Sequence, residues 1–150
     1  MNSKLKKMNL LFKILAFCVF SVLLCSCHKK RVEVVEEVYD NKAPRLVRYY
    51  DEKDGKKDLV GEKSFYPDSK LQLEGAYKND QRNGIWTFYY QNGNKWSESE
   101  YKDGINNGKT ATWFENGNKR YEGQYKEGKQ TGKWKFWDEK GTFIKEVDYK

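Results

Sequence analysis

The chain has 150 residues, enough for one domain, and its 37% hydrophobic beside 34% charged residues argue against a deep two-layer core. Aromatic residues make up 16% of the chain and there are only two prolines, a composition that favours strand over helix. The formal charge of +7 comes largely from the start of the chain, because beyond residue 27 there are 25 basic and 22 acidic residues. Lys and Glu are interleaved there rather than gathered in a stripe, so we expect no nucleic-acid partner.

The first residues have the order of an export signal. Residues 1–7 are basic, and residues 10–24 are apolar apart from Lys13. This apolar run of 15 residues is shorter than the roughly 20 that a spanning helix needs. A secretory signal is therefore favoured over the alternative, a membrane anchor that stays uncleaved.

The signal ends in Leu24, Cys25, Ser26 and Cys27, which resembles the lipobox of bacterial lipoproteins. The resemblance implies a signal peptide over 1–26, diacylglycerol on Cys27, and a lipidated tether over 27–31. We therefore expect an exported protein, lipid-anchored in the bacterial envelope, at the outer membrane facing the periplasm or at the cell surface. The other cysteines would leave with the signal, so no disulfide could form.

Residues 32–60 are predicted to form N-terminal strands and a degenerate repeat unit. Val32, Val34 and Val38 alternate with Glu33 and Glu37, the period of a half-buried strand. Residues 40–44 indicate a turn and residues 45–50 a returning strand. Residues 51–61 hold seven charges and two glycines, which leaves open a loop or a degenerate unit.

One pattern returns every 24 residues over 61–150. It keeps four sets of positions at once: Tyr77, Tyr101, Tyr125 and Tyr149; Gly84, Gly108 and Gly132; Tyr89, Trp113 and Trp137; Glu74, Glu98, Glu122 and Glu146. Such a period is typical of an array that stacks one supersecondary unit.

Each unit has the sequence of a β-hairpin, with Asn92 and Gly93 as the two central turn residues of the clearest one. This turn predicts that Tyr89 pairs with Trp96, Thr87 with Glu98, and Trp86 with Ser99. In later units it predicts the pairs Trp113–Arg120, Trp137–Ile144, Lys135–Glu146 and Lys133–Asp148, and in the degenerate unit Lys63–Glu74. Residues 102–108 and 126–132 would connect the hairpins. The fold class is all-β, an elongated antiparallel sheet of successive hairpins.

Alternation along these strands sorts the side chains onto two faces. Face one is the expected buried face and carries Leu71, Leu73, Tyr77, Trp86, Phe88, Tyr90, Tyr101, Phe114, Tyr121, Tyr125, Trp134, Phe136, Phe143, Val147 and Tyr149. Face two carries the glutamates of the repeat and their lysine partners, with an aromatic row near the hairpin turns. The candidate binding residues on face two are Phe65, Tyr89, Trp96, Trp113, Arg120 and Trp137.

No catalytic constellation can be written for the mature chain, which would keep one His and one Cys. The repeated glutamates occupy a structural position, and most of them face a Lys or Thr, so we interpret them as structural pairs. We expect no enzyme activity, no metal and no cofactor.

The repeat resembles the MORN-repeat variant of bacterial YwqK-type proteins. The resemblance depends on Gly84, Trp86, Tyr89, Asn92, Gly93, Glu98, Tyr101 and Gly104, and on Gly108, Trp113, Asn116, Gly117, Glu122, Tyr125 and Gly128. The chain departs from the pattern at Thr110, where neighbouring units have Trp, and at Lys140 in the last turn. The resemblance implies a sheet that binds proteins or membranes, and an antitoxin-like role, since many such sequences carry the label of toxin–antitoxin antitoxin.

Two functions follow as hypotheses. The first is a lipid-anchored scaffold that binds another envelope protein through face two or through the open edge of the sheet. The second is direct binding of glycan rings or lipid headgroups by the aromatic row. The alternative to both is that these aromatics only cover the second side of the sheet. The last strand, 143–149, is an edge protected by charged residues, so we expect monomers, with edge-paired dimers as the minor hypothesis.

Overall fold

A computed structural model describes residues 30–150, and their regular structure is entirely β-strand. Ten strands form one sheet in chain order, each antiparallel to its neighbours. The predicted all-β sheet of successive hairpins is therefore confirmed. The strands are β1 (Lys30–Val38), β2 (Pro44–Lys53), β3 (Lys56–Phe65), β4 (Leu71–Lys78), β5 (Gln81–Tyr89), β6 (Lys95–Lys102), β7 (Ile105–Trp113), β8 (Lys119–Lys126), β9 (Lys129–Trp137) and β10 (Phe143–Tyr149).

Along one side of the sheet, the strands are joined by turns of only two residues. Asp103 and Gly104 have φ angles of 49° and 82°, and Glu127 and Gly128 have 50° and 79°. Positive φ at both central residues is the signature of a type I′ hairpin turn. The connections predicted over 102–108 and 126–132 are thus wrong, because pairing resumes directly after each turn.

Along the opposite side, the turns are one residue longer than predicted. The amide of Gly93 donates to the carbonyl of Tyr90 (2.9 Å), and the amide of Tyr90 donates to the carbonyl of Asn94 (2.8 Å). The loop therefore has three residues, and its last, Gly93, has a φ of 92°. A type I turn followed by a left-handed residue forms this kind of loop, and it introduces a bulge.

The bulge changes the pairing next to each turn and leaves it unchanged further along. Trp86 pairs with Ser99 and Thr87 with Glu98, as predicted, but Tyr89 pairs with Lys95. The predicted pairs Tyr89–Trp96, Trp113–Arg120 and Trp137–Ile144 are wrong, whereas Lys63–Glu74, Lys135–Glu146 and Lys133–Asp148 are confirmed.

The residue in each bulge lies on face one. The ring of Trp96 lies 5.7 Å from that of Phe88, and the Arg120 guanidinium lies 5.7 Å from the ring of Phe114. The residue before each bulge lies on face two. Phe143 pairs with Trp137, and Leu71 pairs with Phe65, so Phe143 and Leu71 are on face two and not on face one as expected.

The first hairpin, β1–β2, is a further unit of the array. The Tyr39 hydroxyl donates to the carbonyl of Phe65 (2.8 Å), as Tyr66 does to Tyr89 (2.7 Å) in the following unit. The strands expected over 32–38 and 45–50 are present, and residues 51–61 form the next tight hairpin rather than a loop. Five repeat units, each a hairpin around a three-residue turn, thus follow one another in the described chain.

The interior of this sheet consists mainly of two indoles on face one. Trp86 is 0% exposed and Trp134 is 1% exposed. A Cβ added at Gly75 would lie 2.2 Å from Trp86, and one added at Gly123 would lie 2.3 Å from Trp134. Each indole therefore covers a glycine on the preceding strand, and tyrosine rings from 5.1 to 6.4 Å away close over it.

Strands β6 and β7 solve the same packing problem differently. Thr110 stands where the two neighbouring units have Trp86 and Trp134, and Ser99 stands where they have Gly75 and Gly123. The two hydroxyl oxygens are 2.7 Å apart, within hydrogen-bonding distance. The departure at Thr110 is thus matched by a second departure at Ser99.

We predict that Gly123→Ala destabilises the protein by about 1–3 kcal/mol, since the new methyl group would overlap the Trp134 indole. This loss outweighs the roughly 0.5–1 kcal/mol that alanine gains over glycine within a strand. The matched control is Gly61→Ala, where the nearest atoms are at ordinary contact distances of 3.5 Å or more. Thermal unfolding compares the two variants, and equal melting temperatures would contradict the packing described.

Candidate functional site

Face two carries a stripe of aromatic residues along the side of the three-residue turns, with one residue on every second strand. The stripe consists of Phe65, Tyr89, Trp113 and Trp137. Successive members are two strands apart, which places them roughly 9–10 Å from one another. All four are partly accessible to solvent. We call them the face-two stripe.

Lysines lie between the members of the face-two stripe. Lys95 Nζ is 5.7 Å from the centre of the Trp113 ring and is hydrogen-bonded to the Glu98 carboxylate. In the next unit, Lys119 Nζ is 5.6 Å from the ring of Trp137 and 2.7 Å from the Glu122 carboxylate. Each of these lysines joins a carboxylate to an aromatic ring.

Tyr89 is held by hydrogen bonding rather than by a lysine. Its hydroxyl donates to the Glu74 carboxylate (2.9 Å), which also lies 3.4 Å from Lys63 Nζ. Burial, and then the hydrogen bond to Glu74, raise the pKa of Tyr89 above its ordinary value. The phenol therefore remains a protonated donor at neutral pH.

The four repeated glutamates form a column on face two beside the stripe, and each has a lysine partner. These pairs are Lys63–Glu74, Lys95–Glu98, Lys119–Glu122 and Lys133–Glu146. The arrangement agrees with the structural pairing inferred from the sequence, although the partners of Glu98 and Glu122 come from their own strands rather than from the opposite strand.

A depression of about 670 Å³ lies on face two between the stripe and the tight turns. Its floor is Ala111, its side walls include Glu98 and Glu122 from the neighbouring strands, and Trp113 borders one end. A second depression of about 350 Å³ lies further toward β1. Ile85, which is 55% exposed, lines both of them.

The sequence interpretation missed the larger depression. The only signal for it is the size of one side chain, because the positions equivalent to Ala111 hold larger residues, namely Lys63, Thr87 and Lys135.

The structure brings together four of the six candidate binding residues and separates two. Trp96 and Arg120 lie on face one, as described above. Trp96 is 47% exposed there and belongs to an aromatic cluster with Phe88 and Tyr90. The candidate lipidation residue, Cys27, lies outside the described residues.

Within residues 30–150, no group of three or more His, Cys, Asp or Glu side chains is placed to hold a metal ion. Over the same residues, the structure contains no helix that is long and apolar enough to cross a membrane.

Three stretches of the chain match the family model described as MORN repeat variant, over residues 62–79, 82–103 and 106–127. They lie on the hairpins β3–β4, β5–β6 and β7–β8, and the first of them begins within β3. The hairpins β1–β2 and β9–β10 extend the same architecture beyond the matched residues. No curated protein and no solved structure matches the chain.

We predict that Trp113→Ala and Trp134→Ala differ in their effect on stability. Removing the fully buried Trp134 indole should cost about 3–5 kcal/mol. Trp113 is only half-buried, and its contact with Lys95 contributes about 0.5–1 kcal/mol. Trp113→Ala should therefore reduce the free energy of unfolding by less than half as much as Trp134→Ala. Chemical denaturation of the two variants measures the difference. Equal losses would mean that both faces are interior.

Proposed function

Because this chain carries MORN repeats, which commonly mediate interactions with membranes or proteins, we propose that it is a non-enzymatic scaffold that binds another protein through face two. The observation that supports this proposal best is the pairing of the face-two stripe with an open depression beside it. Half-exposed aromatic rings next to satisfied ion pairs give large contact area with a defined polar rim, which is the composition of a protein-binding surface.

The single-layer construction makes face two available. Face one is occupied by its own tyrosines, which close over the two buried indoles. The stripe and the floor at Ala111 are covered by nothing larger than the lysine chains beside them among the described residues. A partner could therefore reach them without any rearrangement of the sheet.

We further propose that the protein is exported and anchored through lipid on Cys27. β1 begins at Lys30, so the tether between the lipid and the sheet would be short and basic. A scaffold held in this way meets only partners of the envelope, at the outer membrane facing the periplasm or at the cell surface. The antitoxin-like role implied by the YwqK-type resemblance would then require a toxin that is itself exported.

A second candidate function is direct binding of a glycan or of lipid headgroups by the face-two stripe. It is favoured by the regular spacing of Phe65, Tyr89, Trp113 and Trp137, since an extended ligand could contact one ring per unit. We propose a monomeric protein in both cases, because Lys145, Glu146, Asp148 and Lys150 discourage further pairing at the β10 edge.

We predict that the triple variant Tyr89→Ala, Trp113→Ala, Trp137→Ala remains folded but loses most of its capture of the protein partner. The control is Trp96→Ala, which truncates an exposed aromatic on face one. Affinity capture from envelope extracts, followed by binding measurements with the isolated partner, compares the two. Peptidoglycan and liposomes are tested in parallel.

Retention of the partner by the triple variant would refute the use of face two. If the unmodified protein captures no protein partner but binds peptidoglycan or liposomes, and the triple variant loses that binding, the second candidate function is supported instead.

A separate prediction concerns the anchor. Cys27→Ala should abolish lipid attachment and leave an unprocessed or soluble protein, whereas Cys25→Ala should be lipidated as before. Metabolic labelling with a fatty acid, followed by fractionation, measures both variants. Incorporation of the label into the Cys27→Ala variant would refute the assignment of Cys27 as the lipidation site.

A further inference from the structure

Hydrogen bonds from one unit to the next fix the backbone of the residues that carry the face-two stripe. The Tyr66 hydroxyl donates to the carbonyl of Tyr89 (2.7 Å), and the Tyr90 hydroxyl donates to the carbonyl of Trp113 (2.9 Å). Each of these bonds joins one unit to the following unit at a member of the stripe. Because equivalent residues of neighbouring units lie two strands apart, the stripe repeats at about 9.4–9.8 Å.

The three-residue turns beside the stripe are joined in the same direction. The side-chain amides of Asn92 and Asn94 both donate to the carbonyl of Glu115 in the next turn (2.9 and 2.8 Å). The equivalent pair of asparagines in that turn donates to the carbonyl of Glu139 (2.7 and 2.9 Å). The stripe is therefore a preorganised row, and a ligand with a matching repeat can bind it without first ordering the sheet.

The charges beside the stripe are paired within the chain. Lys95 lies between the strands of Tyr89 and Trp113, and its ammonium group is bound to Glu98. The equivalent lysine of the next unit, Lys119, is bound to a glutamate in the same way. Since an ionic ligand would have to compete with these pairs, the stripe complements an uncharged segment.

Two rings of the stripe also offer a hydrogen-bond donor. Within residues 30–150, the indole N–H groups of Trp113 and Trp137 donate to no other residue, whereas that of Trp86 donates to the carbonyl of Ala76 (3.0 Å). Neither of the two N–H groups is enclosed by the described residues. A ligand of the stripe should therefore present apolar groups and hydrogen-bond acceptors at the repeat of the rings.

The regular conformations of a peptide differ in their repeat. A polyproline II (PPII) helix has three residues per turn and a rise of about 3.1 Å, so every third residue lies on one face at about 9.3 Å. Over the three intervals of the stripe, this repeat deviates by about 0.3–1.5 Å in total. Two turns of an α-helix span about 10.8 Å, which accumulates a deviation of about 3–4 Å. A β-strand returns to the same face at about 6.6 Å and 13 Å.

The PPII helix is thus the conformation that fits the spacing. It also has no internal hydrogen bonds, so its backbone carbonyls can accept from the indole N–H groups. Proline fixes φ near the value of this helix and removes the amide donor, which leaves an apolar segment with free acceptors.

We propose that the face-two stripe binds a PPII segment of the partner protein, with one proline on each successive ring and two residues between the prolines. This inference rests on the proposed function and identifies the conformation and chemistry of the partner segment. Proline rings pack against the aromatic rings, and the indole N–H groups of Trp113 and Trp137 donate to carbonyls of the segment. Because such a helix is formed before binding, little conformational entropy is lost.

The test is an NMR titration of the full-length chain in detergent micelles, labelled at the tryptophan indoles. The probe is a capped ten-residue peptide with proline at positions one, four, seven and ten and alanine elsewhere. Its match has the same composition with proline at positions two, four, six and eight, so that no face of the PPII helix carries more than two.

The probe should shift the indole N–H signals of Trp113 and Trp137 and leave those of Trp86, Trp96 and Trp134 unchanged. The matched peptide should bind at least about five-fold more weakly, since it places fewer prolines on the rings. Affinity for the probe should change little as salt is raised, because the peptide carries no charge.

Two substitutions at one ring separate its contributions. Trp113→Phe keeps an aromatic ring but removes the N–H, and it should weaken binding about two- to ten-fold, as expected for one hydrogen bond. Trp113→Ala removes the ring as well and should weaken binding further. The control is Trp96→Ala, which truncates an exposed aromatic on face one and should leave the affinity unchanged. The remaining indole signals show whether each variant is folded.

Equal affinities for the two peptides, or shifts confined to Trp96, would overturn the inference. So would a peptidoglycan disaccharide that shifts the Trp113 and Trp137 signals when the proline peptide does not. If the proline peptide fails while the triple variant of the stripe still loses its protein partner, the proposed function stands and the inference falls. If the proline peptide binds the stripe while the triple variant keeps its protein partner, the proposed function falls instead.

Discussion

In a sheet of one layer, a side chain has neighbours on its own face only, so burial depends on how flat it can lie. The Trp86 and Trp134 indoles become inaccessible because Gly75 and Gly123 offer no Cβ beneath them. Without this close approach the rings would stand away from the sheet, and the tyrosines could not close over them. The stability of the array therefore rests on a pairing between two strands, and not on a second layer.

That constraint explains why the repeat could be recognised from the sequence. The Tyr, Gly and Trp positions recur because each unit packs against the next in the same way, and the hairpins follow from turn residues alone. The register at Trp86 was predicted correctly from a turn that was wrong by one residue. The extra turn residue and the bulge beside it compensate each other, so the pairing beyond the bulge is the one that a two-residue turn would give.

The same compensation explains the errors in the candidate site. A bulge leaves the distant register intact but reverses the face of the residue within it, and the sequence holds no signal that separates Trp96 from Lys95 in this respect. Trp113 and Trp137 were placed correctly because they precede the turn, on the strand without the bulge. The depression over Ala111 could not be predicted by listing functional side chains, because it arises where a small side chain replaces a larger one.

Strand β7 departs from the repeat on both faces of the sheet, at adjacent residues. On face one, Thr110 replaces an indole, and Ser99 fills the position that the glycine would have kept open. On face two, Ala111 replaces a longer side chain, and no neighbouring residue of 30–150 fills the space. The first departure is thus compensated by another residue of the chain, because Ser99 pairs with Thr110 and keeps the two strands packed. The second leaves an open volume on face two, although the column glutamates on either side of it, Glu98 and Glu122, remain bound by Lys95 and Lys119.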